Sequence, residues 1–258
     1  MNLTLESTVI ANVPVLIMKP SKIRDGFNDV IAINIHGGGF TMGTAEDRSG
    51  LLFVGDMGVP VYSIDYSLAP EAKYPVALNQ CLNVYKELIK IHNPKRVIIL
   101  SSSSGGSLAL AMLLKAQEQN IPLPKIQVLN APAADVSGDG DSPVFNDGRD
   151  FASTSLIKNS AKIYYVGDAD VYDPLLSPIY GTYKQVFPAS ILLSGTRDPL
   201  LSNAVRLDWK LRAAGIKSEL LVGEGMWHGA LNWEIDLPER IAASKEVIKF
   251  ITEQLQAN

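Results

Sequence analysis

The chain has 258 residues, a formal net charge of -4 and a sequence pI near 5.4. Hydrophobic residues make up 47%, which rules out wholesale disorder and supplies a sizeable core. The mild acidity argues against a nucleic-acid partner, which would need a basic face.

Reading from the N-terminus, residues 3–10 and 13–18 predict two strands joined by a turn centred on Asn12. Short β-branched runs at 30–35, 59–64, 96–100, 126–129, 190–193 and 219–222 predict buried strands. Between them, helical patterns run over 45–57, 76–91, 105–119, 201–214 and 239–256, with Gly215 placed as a C-terminal stop. Strands alternating with helices predict one α/β domain spanning 1–258, with a mostly parallel central sheet flanked by helices. Residues 135–178 break that rhythm. They open on a loop-like run, continue into a short helix predicted over 153–165, and read as a cap or lid insertion.

No run approaches the roughly 20 apolar residues of a membrane span. The first residues do not read as a signal peptide, so a cytoplasmic protein is expected. A lone Cys81 excludes an intrachain disulfide and reads as a core residue. No spacing resembles a zinc or EF-hand site, and no Gly-Lys-Ser/Thr follows a glycine loop. Neither metal nor cofactor is expected.

Ligands of open parallel sheets sit at the carboxyl ends of the strands. Four predicted strand ends carry chemistry. They are followed by His36-Gly37-Gly38-Gly39, by Ser101-Ser102-Ser103-Ser104-Gly105-Gly106, by Gly195-Thr196-Arg197-Asp198, and by Met226-Trp227-His228-Gly229. A serine hydroxyl needs a base to become a nucleophile. A histidine serves near neutral pH, and a carboxylate fixes its tautomer. Backbone N–H groups of a glycine loop stabilise an oxyanion. The chain has three histidines. His228 follows the last strand and is the candidate base. His36 reads as a loop-orienting residue, and His92 as a helix-end residue bonded to terminal carbonyls.

These motifs resemble those of the hormone-sensitive-lipase-like family of α/β-hydrolase carboxylesterases. The resemblance runs from His36-Gly37-Gly38-Gly39 through Asp65-Tyr66-Ser67-Leu68-Ala69-Pro70-Glu71 and the serine loop. It continues through Asp173-Pro174-Leu175-Leu176-Ser177-Pro178 to Asp198-Pro199-Leu200 and His228-Gly229. It implies Ser103 as nucleophile, chosen over Ser102 and Ser104 by family register, with Asp198 as acid and His228 as base. It also implies an oxyanion hole from the N–H groups of Gly38, Gly39 and Ser104, with His36 and Gly37 supporting the loop. The implied reaction is hydrolysis of small carboxylic esters through an acyl-enzyme. Lactones and amides are alternative substrates for the same groups, and a non-catalytic ligand-binding protein is the alternative of another class. Members of this family often dimerise, so a homodimer is among the expected partners.

The sequence departs from the family at three places. Serine stands at 101 where the elbow usually has glycine, which adds a Cβ to a tight turn. Ser67 replaces a usual arginine, which removes one support of the neighbouring loop. Only 35 residues precede His36, so the cap is expected to be reduced to 135–178 and the acyl pocket to be open or shallow.

Overall fold

The computed structural model describes residues 3–152, 161–234 and 236–257. Its centre is an eight-stranded sheet: β1 (Leu3–Ile10), β2 (Val13–Pro20), β3 (Ile31–Ile35), β4 (Val61–Ile64), β5 (Val97–Ser102), β6 (Ile126–Asn130), β7 (Ala189–Gly195) and β8 (Ser218–Gly223). The strand order is β1-β2-β4-β3-β5-β6-β7-β8. β2 pairs antiparallel with β1 and β4, and the pairs from β4 through β8 are parallel. This is an α/β-hydrolase sheet. The hairpin turns through Ala11 and Asn12, both at positive φ (52° and 61°), as a two-residue turn matching the strand twist requires.

The helices are α1 (Arg48–Met57), α2 (Val76–Ile91), α3 (Ser104–Glu118), α4 (Ser142–Phe145), α5 (Leu201–Ala213), α6 (Ala230–Trp233) and α7 (Pro238–Gln256). Asp47 caps α1 by accepting from the Gly50 N–H, and Gly58 ends it in the left-handed conformation. Gly215, at φ 75°, lies just past α5.

The two-residue period of the strands sorts their side chains onto two apolar layers. Ile33, Ile99, Leu129 and Leu192 pack with Leu78, Tyr85, Leu110 and Leu207 of α2, α3 and α5. Ala32, Ile98, Val128 and Ile191 face the other way, onto Phe53, Met57, Val247 and Phe250 of α1 and α7. Both faces are covered, which is why the central strands read as mostly apolar runs. Cys81 is buried in the first layer, and burial pushes its thiol pKa up.

The segment from 135 to 178 contributes α4 and a π-helical turn at Ala161–Val166. The expected helix over 153–165 lies mostly outside the described residues, and only its end from 161 is seen. No helix among the described residues is long and apolar enough to cross a membrane.

Candidate active site

β5 runs into α3 with a single residue, Ser103, at the corner. Its backbone sits at φ 50° and ψ −123°, a strained conformation for a residue with a side chain. Such strain costs about 1–3 kcal/mol and persists only where the surroundings enforce it. Here the Ser103 N–H donates to Asn130 O at 2.9 Å, and Ser103 O accepts from the N–H groups of Gly106 and Ala133.

The corner also needs glycines. A Cβ on Gly105 would lie 2.1 Å from Ile35 O and 2.4 Å from His36 O. The first turn of α3 therefore presses directly on the end of β3. Ser101, by contrast, is accommodated. It lies in β5, fully buried, paired with Ile35 and Leu129 across the sheet. Neither its hydroxyl nor that of Ser102 has a partner among the described residues.

The Ser103 hydroxyl lies 3.0 Å from His228 Nε2, and His228 Nδ1 lies 2.9 Å from Asp198 Oδ1. A carboxylate can only accept, so Nδ1 carries the proton and Nε2 accepts from Ser103. Asp198 is fully buried and has two further donors, the Ser194 hydroxyl on Oδ2 at 2.9 Å and the Leu200 N–H on Oδ1 at 2.8 Å. Burial works to lower the His228 pKa. The charge and hydrogen bond of Asp198, aided by the charge of Asp150, outweigh it and raise the imidazole above its ordinary 6.5.

Two loops bring these groups together. The loop after β7 carries Asp198 and the loop after β8 carries His228. Arg197 N–H donates to Met226 O at 3.0 Å, and Gly225 N–H donates to Thr196 Oγ1 at 2.8 Å. A Cβ on Gly195 would lie 2.1 Å from Met226 O, so only glycine permits this approach. Asp150, from the 135–178 segment, accepts the His228 N–H.

The glycine loop after β3 lies against the serine corner. A Cβ on Gly37 would lie 3.0 Å from Ser102 O. Gly38 and Gly39 have φ of 116° and 62°, and neither N–H has an acceptor among the described residues. Ser104 Oγ accepts from the Phe40 N–H at 3.3 Å, which ties the serine loop to the glycine loop. His36 is buried, donates from Nδ1 to Gly37 O at 2.7 Å, and stacks on Tyr66 with ring centroids 4.2 Å apart. Burial lowers its pKa, so the ring acts as a neutral brace. The Tyr66 hydroxyl donates to His36 O at 2.8 Å.

Asp65 braces the far side of the same loop by accepting the Ala45 N–H at 2.9 Å. The expected loss of support at Ser67 is made good by Gln80. Its amide accepts the Ser67 N–H and donates to the Ser67 hydroxyl, both at 2.8 Å. His92 departs from expectation. Its backbone N–H, rather than its ring, bonds to Leu88 O, and the ring packs edge-on against Tyr62.

A cavity opens beside Ser103. Gly39, Phe40 and Ser104 line one part, and Pro199, Leu200 and Asn203 another. Asp135, Val136, Gly138, Pro143 and Ala161 reach it from the 135–178 segment.

Residues 32–232 match a family described as alpha/beta hydrolase fold. The chain belongs to the α/β-hydrolase family. The hydrolase is 28% identical over 226 residues to an esterase of Acinetobacter venetianus, covering 86% of this chain and 74% of that protein. It is 27% identical to a crystal structure of an esterase/lipase from an uncultured bacterium, with a TM-score of 0.92 over 99% of this chain and 86% of the other. A hormone-sensitive lipase from a metagenome library superposes with a TM-score of 0.90 at 28% identity, over 98% and 85% of the two chains. These relatives place the hydrolase among the hormone-sensitive-lipase-like esterases, as a carboxylic ester hydrolase.

Sequence reasoning did not single out Ser194, Asp150, Gln80 or Asn203. Tyr66 fell inside a quoted motif without a role. Only the fold reveals their contacts, because the partners lie up to 78 positions apart in the chain.

Proposed function

We propose that this esterase hydrolyses small carboxylic esters, with short to medium acyl chains, through Ser103, His228 and Asp198. The observation that carries the reading is the continuous buried chain from the Ser103 hydroxyl through His228 to Asp198, at 3.0 and 2.9 Å.

His228 Nε2 takes the Ser103 proton as Oγ attacks the ester carbonyl. The carbonyl oxygen becomes an oxyanion, stabilised by the N–H groups of Gly38, Gly39 and Ser104. The imidazolium is held by Asp198, whose charge it faces. It gives the proton to the departing alkoxide as the tetrahedral intermediate collapses, so the alcohol leaves and the acyl group stays on Ser103. Water then attacks the acyl-serine, giving a proton to His228, which passes it to Ser103 Oγ as the acyl–oxygen bond breaks and the acid departs. The 135–178 segment acts as the cap, since five of its residues wall the cavity beside Ser103.

Ser103→Ala should lose at least about ten-thousand-fold in kcat/KM while folding normally. It should also resist labelling by a fluorophosphonate that labels the native protein. Undiminished hydrolysis by that variant overturns the assignment.

A further inference from the structure

Asn203 lies in the first turn of α5 and is 1% exposed. Its side chain is committed on one side only. Oδ1 accepts the Asp135 N–H at 2.6 Å, which fixes the orientation of the amide. The other half of the amide, Nδ2, has no acceptor among the described residues, and Asn203 lines the cavity beside Ser103.

The surrounding wall is otherwise largely apolar: Phe40, Ala133, Val136, Pro143 and Leu200. Asp135 also borders the cavity, but its carboxylate is already engaged. Oδ2 takes Arg206 Nη1 at 2.7 Å and the Tyr180 hydroxyl at 3.2 Å, and Oδ1 takes the N–H and hydroxyl of Ser137. Among the described residues, the cavity therefore presents Asn203 Nδ2 as an uncommitted side-chain donor away from the reacting groups.

We infer that Asn203 is a specificity-determining residue whose Nδ2–H selects esters carrying a hydrogen-bond-accepting oxygen in the chain that enters this cavity. The inference rests on the proposed esterase reading and deepens it. An all-carbon chain packed against Nδ2 offers it no acceptor and leaves the donor stranded. A chain with an ether, keto or hydroxyl oxygen supplies a replacement acceptor. Sites built to bond a polar group discriminate against analogues that lack it. No such discrimination comes from an apolar wall alone.

The test uses matched ester pairs in which oxygen replaces one methylene. For the acyl side, p-nitrophenyl methoxyacetate is compared with p-nitrophenyl butyrate. For the alcohol side, 2-methoxyethyl acetate is compared with butyl acetate. Each kcat/KM is divided by the rate of hydroxide hydrolysis of the same ester, which removes the intrinsic effect of the oxygen.

The native protein should favour the oxygen-bearing member of one pair by about three- to tenfold. The pair that shows it identifies which part of the substrate occupies the cavity. Asn203→Asp keeps an acceptor for the Asp135 N–H and removes the donor, so it should bring that ratio to unity or below. Asn203→Leu should bring it to unity. A native ratio of one or less in both pairs overturns the inference, as does a preference that survives in Asn203→Asp. Failure of the native protein to hydrolyse any of the four esters overturns the esterase reading itself, and the inference with it.

Discussion

Replacing Gly105 by alanine should cost far more than a methyl group normally does. Alanine is the better helix former, so propensity alone would favour the change by up to about 1 kcal/mol. The structure reverses the sign. The new Cβ would lie 2.1 Å from Ile35 O and 2.4 Å from His36 O, where ordinary contact begins at about 3.4 Å. Both obstacles are backbone atoms of β3 and the residue that follows it. Relief requires α3 and β3 to move apart by an ångström or so. Overpacking of side chains costs typically about 1–3 kcal/mol, and a backbone obstacle puts this site at or above the top of that range. For a domain of this size, about 3 kcal/mol corresponds to a fall in Tm of roughly 6–12 °C. The same displacement would move the Ser104 N–H away from those of Gly38 and Gly39, so kcat should fall with stability. Gly26→Ala is the control. It has nothing within 4 Å of the new Cβ and carries only the strain of φ 83°. Urea denaturation and hydrolysis of p-nitrophenyl butyrate read both effects. A Gly105→Ala protein that matches the native one in both would refute the close approach.

The remaining expectations are shorter to state. The proposed mechanism requires neutral His228, whose pKa is raised, so kcat/KM should climb with pH through an acid limb centred above 6.5. A pH–rate profile checks this, and a limb at or below that value contradicts it. Asp198→Asn removes the counter-charge and lets His228 take the wrong tautomer, so kcat should drop by about a thousand- to ten-thousand-fold. Tyr66→Phe removes the bond to His36 O, which should cost about 1 kcal/mol or more in urea unfolding. A chain-length series should favour p-nitrophenyl butyrate over the palmitate, and the opposite order would refute the cap reading.

The sheet was legible because both of its faces are covered. Runs such as 96–100 and 126–129 are mostly apolar and rich in valine and isoleucine, and they match β5 and β6 within two residues. The last strand was located as well, although β8 lies at an edge and is only partly buried. Strand ends then indicated which residues meet, since parallel strands deliver their following loops to one side. The supporting contacts were not legible. Ser194 reaches Asp198, and Gln80 holds Ser67, through side-chain geometry that no local spacing encodes. His92 shows the converse. A histidine at a helix end invites a bond to carbonyls, but the His92 ring packs T-shaped with Tyr62 of β4 instead. The residues from 153 to 160 lie outside the described structure, so the predicted helix there stays an expectation.

The bond from the His228 N–H to the Asp150 carboxylate ties the proposed cap, the 135–178 segment, to the loop bearing the proposed base. Caps are the natural segments to exchange between relatives when a new substrate range is wanted. Here the exchange carries a condition. A transplanted cap must bring a carboxylate to the position of Asp150, or the loop bearing the imidazole loses its tether. Chimeras divided between those with and without that carboxylate should separate in kcat, even where every one of them folds.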